Sequence, residues 1–122
     1  MDFYEQHSRF HFAVDCVVLG YESGQLKLLL YPRAFEPVKG SWSLMGGFVG
    51  EGESGEEAAS RVLKHTTGLD NIFLEQVGTF SNPLRDPFKR VVSIAYFALI
   101  QINQYNKKKA ERYGAKWMPL DD

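Results

Sequence analysis

The sequence predicts an α/β fold in which helices pack against a mixed β-sheet. Short apolar segments with an alternating pattern recur along the 122 residues, and turn residues separate them. One segment, Ser54–Thr67, instead has apolar residues at helical spacing. The long run Arg90–Ile102 is apolar on both faces, as expected of a central strand covered by helices. A chain of this length is expected to form one domain, residues 1–122.

The first two elements are predicted to form a β-hairpin. Phe12–Tyr21 is a strand that places Val14, Cys16 and Val18 on one face, and Gln25–Pro32 is its partner. Only three residues, with the turn-forming sequence Glu-Ser-Gly, connect the two strands.

The middle of the chain is predicted to lead from a loop into a helix. Residues 36–41 contain the loop, and Trp42–Phe48 runs into a glycine-rich turn. A helix then covers Ser54–Thr67, because its first residue and Glu57 have the spacing of a capping box. Gly68 is expected to end this helix in a left-handed conformation. The residues expected to face the sheet are Ala58, Ala59, Val62, Leu63 and Thr66.

The second half of the chain completes the sheet. Ile72–Phe80 is predicted to be a strand, followed by a proline-containing loop at 81–87 and then by the central strand Arg90–Ile102. Gln104–Arg112 is polar and is predicted to form a short helix. Ala115–Leu120 is predicted to be the last strand.

Composition and charge exclude several classes of function. The formal net charge of −1 gives no electrostatic basis for nucleic-acid binding by this segment. The single cysteine, Cys16, excludes an internal disulfide and is expected to pack in the core. No signal peptide or membrane span is found, so a cytoplasmic location without a membrane partner is expected.

The segment Gly46–Leu69 carries the most specific motif. Its glycines, at 46, 47, 50 and 52, form a loop that is free to adopt positive φ and to bring the backbone close to a ligand. The segment resembles the box motif of the Nudix hydrolase superfamily. The residues that match this motif at the correct spacing are Gly47, Glu53, Arg61, Leu63, Gly68 and Leu69. The resemblance covers nearly the whole chain and implies an α/β/α sandwich.

The motif is degenerate at the positions that matter for catalysis. In the family, three glutamates of the helix bind Mg²⁺ or Mn²⁺, and the metal activates a water for attack on a diphosphate. Val62, His65 and Thr66 occupy those positions, and Met45 stands where the family has proline. The resemblance therefore implies a domain without catalytic residues, cofactor or metal. Glu53 is expected to pair with Arg61 and to hold the loop against the helix.

Ten residues are candidates for binding a ligand. Arginines bind phosphate, aromatic rings stack on a base or sugar, and the glycine backbone approaches the ligand. For each cation the alternative is a solvated loop charge, and for each aromatic residue it is a place in the core. The candidates are Arg33, Phe35, Trp42, Gly46, Gly47, Phe48, Arg61, His65, Arg85 and Arg90.

Two functions remain open. The chain is most similar to the N-terminal domain of bacterial Nudix-related transcription regulators, which implies a homodimer that senses a nucleotide sugar such as ADP-ribose, or a sugar. DNA would then be bound by a C-terminal winged-helix domain outside this chain, and the chain is expected to be truncated before the last Nudix helix. The alternative is an active hydrolase that cleaves a nucleoside diphosphate derivative with Mg²⁺. Its metal ligands would come from Glu51, Glu53, Glu56 or Glu57.

Overall fold

A computed structural model describes residues 3–33 and 40–120. Within these ranges, a seven-stranded mixed sheet carries two α-helices, which confirms the predicted fold class. The strands are β1 (His11–Glu22), β2 (Gln25–Pro32), β3 (Trp42–Ser43), β4 (Met45–Phe48), β5 (Glu75–Phe80), β6 (Val91–Gln101) and β7 (Lys116–Pro119). The helices are α1 (Gly55–Thr67) and α2 (Gln104–Tyr113), and a short 3-10 helix covers Phe3–Gln6.

Strand β1 is the strand around which the sheet is built. It pairs in parallel with β6 along its length, and β6 in turn pairs with β5. The other edge of β1 is shared by two antiparallel strands, because β4 pairs with Ala13–Cys16 and β2 pairs with Leu19–Glu22. The predicted hairpin is confirmed, and its turn has positive φ at Ser23 (52°) and Gly24 (76°). This arrangement places β4 beside the first half of β1.

The core lies between this sheet and α1. Val14, Cys16 and Val18 are completely buried, so the predicted inward face of β1 is confirmed. Cys16 packs with its thiol 3.5 Å from the carbonyl oxygen of Ala59, and burial raises the pKa of this thiol to about 12. The helix residues predicted to face the sheet are all buried, namely Ala58, Ala59, Val62, Leu63 and Thr66.

Local signals set the ends of α1. Ser54 is the N-cap, its hydroxyl accepts from the Glu57 amide at 3.1 Å, and the Glu57 carboxylate accepts from the Ser54 amide at 2.8 Å. Gly68 ends the helix with φ of 74°. Both predictions are therefore confirmed. Helix α2 contacts both α1 and β7. No helix within the described residues is long and apolar enough to cross a membrane.

Strand β5 is shorter than predicted. It begins at Glu75 and not at Ile72, because the chain first turns through Asn71 at positive φ (56°). Leu74 is then buried in the core at 6% exposure, whereas Phe73 is 80% exposed. The apolar residues of this segment therefore have different environments, since Leu74 packs in the core and Phe73 lies on the surface. Pairing with β6 begins only after them, at Glu75.

The position of β6 is confirmed, but its predicted coverage by helices on both faces is wrong. The strand lies between β1 and β5. Tyr96 and Ala98 face the core and are buried, whereas Leu99 on the opposite face is 61% exposed. The two described helices contact each other and pack on the same side of the sheet, so they do not cover this face.

Candidate ligand-binding site

The glycine pair Gly46–Gly47 lies in strand β4, and not in a loop as predicted. In the described residues, positive φ occurs at Gly24, Gly40, Gly68 and Gly114 among the glycines. The glycines at 46, 47, 50 and 52 therefore do not use their freedom to adopt positive φ. The pair is needed for another reason, which is close packing on both faces of β4.

Each glycine of the pair makes room for a different side chain. A Cβ atom added at Gly46 would lie 2.6 Å from Oδ1 of Asp15, and one added at Gly47 would lie 2.9 Å from Cγ2 of Val62. Consecutive strand residues face opposite sides of a sheet. Gly47 therefore allows α1 to approach the sheet, and Gly46 leaves space for a carboxylate on the other face.

Glu53 and Arg61 connect the loop after β4 to the middle of α1. Arg61 donates from Nε to Oε2 of Glu53 at 2.7 Å and from Nη2 to Oε1 at 3.0 Å. The same Nη2 donates to the carbonyl oxygen of Phe48 at 2.8 Å, and the amide of Gly50 donates to Oε1 of Glu53 at 2.9 Å. Hydrogen bonds from Arg61, and then from Gly50, lower the pKa of Glu53 to about 2. The expected Glu53–Arg61 pair is thus present.

The three positions where the family carries metal-binding glutamates have different environments. Val62 and Thr66 are buried, at 5% and 8% exposure, while His65 is exposed. The Thr66 hydroxyl donates to the carbonyl oxygen of Val62 at 2.8 Å, so it is already used within the helix. In the ranges 3–33 and 40–120, no group of three His, Cys, Asp or Glu side chains is arranged to hold a metal ion.

A second group of candidate residues meets on the sheet face opposite α1. The core-facing residues of β1 are Val14, Cys16 and Val18, so the residues between them point away from the helix. We call the surface opposite α1 the distal sheet face. It is formed by His11, Ala13, Asp15, Gly46, Phe48 and Ser93, which are neighbours in the pairing of β1 with β4 and β6.

Arg85 contributes a positive charge to the distal sheet face. Its Nη2 donates to the hydroxyl of Ser93, a residue that is only 2% exposed. Arg85 itself is exposed. Burial raises the pKa of Asp15, and the charge of Arg85 opposes that rise, which places the two groups within electrostatic range.

Phe48 supplies an accessible aromatic ring on the same face. Phe48 is 59% exposed, and its ring lies 5.6 Å from the His11 ring, at an interplanar angle of 58°. Its backbone is held in place, because its carbonyl oxygen accepts the hydrogen bond from Arg61. A fixed and exposed ring of this kind is suited to stacking on a nucleobase.

Other predicted residues lie elsewhere. Trp42, 43% exposed, pairs with Pro32 where β3 meets β2, and the adjacent Arg33 exchanges backbone hydrogen bonds with Ser41 and Gly40. The structure therefore does not bring Arg33 or Trp42 into the distal sheet face. Phe35 lies outside the described residues.

Arg90 contacts the N-terminal segment and the loop after β5. Its guanidinium carbon lies 4.4 Å from the centroid of the Phe10 ring, and its Nη2 donates to the carbonyl oxygen of Ser81 at 3.1 Å. These contacts hold the chain that enters β1. His65 lies on the exposed side of α1.

Sequence reasoning missed Asp15 and Ser93. A signal for Asp15 was present, because it is the one charged residue in the apolar alternation of Ala13–Leu19. Ser93 has the same character, a polar residue in the apolar run of β6. A polar residue within a buried strand has a desolvation cost, so it is a candidate for a functional position.

Two cavities lie away from these residues. Their volumes are about 340 and 380 Å³, and neither is lined by a lysine or arginine that could bind phosphate. The first is lined by Tyr21, Glu22, Ser23, Gln101, Ile102, Asn103 and Gln104. The second is lined by Asn71, Ile72, Phe73, Glu75, Phe97, Ala98, Leu99 and Ile100. The distal sheet face has the better chemistry for an anionic ligand.

Comparison with known proteins identifies similar regulators and a similar enzyme. The chain is 36% identical over 110 residues to the ADPR responsive transcriptional repressor NtrR of Acinetobacter baylyi, covering 88% of this chain and 44% of the repressor. It is 44% identical over 70 residues to the ADP-ribose pyrophosphatase of Methanocaldococcus jannaschii, covering 57% of this chain and 41% of the enzyme. The chain thus spans less than half the length of both relatives.

Solved structures agree with these relationships. The NUDIX domain of Shewanella oneidensis NrtR, crystallised with ADP ribose, superposes with a TM-score of 0.80 at 32% identity, covering 96% of this chain and 77% of that domain. NrtR from the same organism has also been solved with a 27mer DNA, with a TM-score of 0.79 at 34% identity and coverage of 91% and 52%. The family model described as NUDIX domain matches residues 9–122. The chain therefore belongs to the NUDIX family.

Proposed function

We propose that this NUDIX domain senses a nucleotide sugar of the ADP-ribose class for a bacterial transcription regulator, and that it does not hydrolyse the ligand. In this proposal the ligand binds on the distal sheet face, with the Glu53–Arg61 pair holding one edge of the site. The role of the domain is to couple ligand binding to the state of the regulator.

The observation that carries the proposal is the chemistry of the three positions that bind metal in the family. A hard divalent cation needs several oxygen ligands in a near-octahedral arrangement. Val62 offers none, the Thr66 hydroxyl is committed to a helix carbonyl, and the imidazole of His65 suits softer metals. These residues do not fit Mg²⁺, so no metal-activated water is assigned to them.

The remaining acidic residues of this segment do not compensate. Both carboxylate oxygens of Glu53 accept hydrogen bonds from Arg61, and Glu57 caps the start of α1. Glu51 and Glu56 are exposed. Recruiting Glu53 or Glu57 to a metal would break contacts that hold the loop and the helix in place.

The distal sheet face supports the choice of ligand. Arg85 supplies exposed guanidinium donors for a phosphate, and Phe48 supplies a ring for a base. The similarity to a repressor described as ADPR responsive and to a domain crystallised with ADP ribose supports the same ligand class. Of the predicted binding residues, this site uses Gly46, Phe48, Arg61 and Arg85.

In the proposed regulator, DNA and a second subunit are the macromolecular partners. The NrtR structure with DNA supports a role in transcription, and the net charge of −1 argues against DNA binding by residues 1–122 alone. We assign DNA binding to the part of such regulators that this chain does not span, and we expect a homodimer in the cytoplasm.

A second candidate function is hydrolysis of ADP-ribose. The similarity to an ADP-ribose pyrophosphatase favours it, as does the retained Glu53–Arg61 pair. Metal would then have to bind through Glu51 or Glu56, together with groups from the ligand. We place this candidate second because it requires a metal site unlike that of the family.

A turnover assay tests the proposal. Residues 1–122 are incubated with ADP-ribose in Mg²⁺, Mn²⁺ or EDTA, and AMP is measured by chromatography. The M. jannaschii pyrophosphatase serves as the positive control, and Glu53→Gln is assayed in parallel. We expect no metal-dependent AMP. AMP that accumulates with Mg²⁺ and is lost in Glu53→Gln would establish the second candidate instead.

A further inference from the structure

Asp15 occupies an unusual position in the middle of the sheet. It lies in β1 between Val14 and Cys16, which are both completely buried, and its own side chain is half-buried on the distal sheet face. Its neighbours in register are Gly46 on β4 and Ala95 on β6. Both neighbours are small, so the space beside the carboxylate is left open.

The carboxylate uses the space that Gly46 leaves. A Cβ atom at Gly46 would lie 2.6 Å from Oδ1 of Asp15, which is too close for any other residue at this position without movement. Gly46 is itself exposed, so this oxygen lies beside an accessible part of the sheet. An oxygen of the Asp15 carboxylate therefore lies beside Gly46, at an exposed part of the distal sheet face.

Asp15 lacks the partners that a structural carboxylate needs. In the ranges that the structure describes, no side-chain hydrogen bond and no ion pair within 4.0 Å involves Asp15. The nearby Arg85 donates to Ser93 instead. A half-buried carboxylate without donors destabilises a fold, whereas asparagine or serine would have a smaller desolvation cost.

An ionised carboxylate accepts hydrogen bonds and donates none. A ligand that satisfies Asp15 must therefore present donors, and a ligand that also contacts Arg85 must present an anion close to them. Ribose hydroxyls next to a phosphate have this arrangement. A phosphate alone would be repelled by Asp15, and a neutral sugar alone would not use the positive charge of Arg85.

We infer that Asp15 is a specificity-determining residue that accepts hydrogen bonds from the ribose hydroxyls of the ligand, while Arg85 binds the adjoining phosphate. This inference rests on the proposed function and names the side chains that recognise the ligand. Gly46 then provides the space for the ligand-facing carboxylate, and Ser93 holds the guanidinium of Arg85 at the required position.

Asp15→Asn separates this role from a structural one. The amide keeps the size of the side chain and removes its charge. If Asp15 serves the ligand, the variant should keep or raise the unfolding temperature, because a carboxylate without donors has been removed. Its affinity for ADP-ribose should fall by roughly tenfold or more, since hydrogen bonds to charged groups are strong.

Asp70→Asn is the matched control. Asp70 is an exposed carboxylate after α1 that lies 3.4 Å from Lys64, and it is not part of the distal sheet face. Calorimetry of wild type, Asp15→Asn and Asp70→Asn with ADP-ribose, together with thermal unfolding of each protein, forms the experiment. Asp70→Asn should bind ADP-ribose like the wild type.

Each outcome decides a different claim. If wild type does not bind ADP-ribose, both the proposed function and this inference are wrong. If wild type binds and Asp15→Asn binds equally well, only the inference is wrong. If Asp15→Asn loses affinity and unfolds at a clearly lower temperature, Asp15 is a structural residue and the inference is also overturned. Lost affinity at an unchanged or higher unfolding temperature, with normal binding by Asp70→Asn, supports it.

Discussion

Arg61 and Glu53 form a bidentate ion pair, with Nε to Oε2 at 2.7 Å and Nη2 to Oε1 at 3.0 Å. Because Arg61 also bonds the Phe48 carbonyl, the pair fixes the end of β4 relative to α1. In this member of the NUDIX family the pair is present, and Val62, His65 and Thr66 follow Arg61 along α1. Through its hydrogen bond to the Phe48 carbonyl, the pair also holds the backbone of Phe48, one residue of the distal sheet face.

The pair predicts how stability changes with pH. The pKa of Glu53 is lowered from 4.5 to about 2 in the folded chain, so its stabilising contribution is present above pH 4.5 and is lost as the pH falls towards 2. Glu53→Gln should therefore destabilise the protein at pH 7 and have a smaller effect at pH 3. Urea unfolding of wild type, Glu53→Gln and the exposed control Glu51→Gln at both pH values measures this. An equal effect of Glu53→Gln at both pH values would contradict the assignment.

Restoring single carboxylates on α1 should have position-dependent effects. Val62→Glu buries a charge against Gly47 and should destabilise the domain by about 2–4 kcal/mol. His65→Glu lies on the exposed side and should change the free energy of unfolding by less than about 0.5 kcal/mol. Chemical denaturation in EDTA compares the two variants. Similar losses at both positions would show that the orientation of α1 is wrong.

The capping box gives a prediction for local stability. Ser54→Ala removes the acceptor for the Glu57 amide and should destabilise the domain by about 1 kcal/mol. Ser60→Ala, at an exposed position inside the same helix, is the control and should be neutral or slightly stabilising, because alanine has the higher helix propensity. Thermal unfolding distinguishes them, and an unaffected Ser54→Ala variant would mean that the cap contributes little.

Much of the fold follows from local patterns in the sequence. The β2 boundaries, both caps of α1 and the inward face of β1 were predictable because turn residues, capping residues and alternation act over a few positions. The start of β5 was not, because Leu74 leaves the strand pattern to reach the core. The 3-10 helix at Phe3–Gln6 was also missed, since four residues carry no periodicity.

The candidate site was predictable only in part. Gly46, Phe48, Arg61 and Arg85 were predicted from the motif and from residue type. In the structure Gly46 and Phe48 share strand β4, Arg61 donates to the Phe48 carbonyl, and Arg85 donates to Ser93. The partnership of Asp15 with Gly46 depends on strand register, which a single sequence does not specify. The role of the glycine pair was misinterpreted for the same reason, because close approach between strands and helix is a tertiary property.

Calorimetric titration of residues 1–122 with ADP-ribose, in EDTA and in Mg²⁺, tests the central claim most directly. The account predicts saturable binding with the same affinity in both buffers, and intact ADP-ribose recovered afterwards. The domain would then sense the ligand through its own side chains, without a metal. Binding that requires Mg²⁺, or a sustained heat of reaction with AMP as a product, would contradict the account.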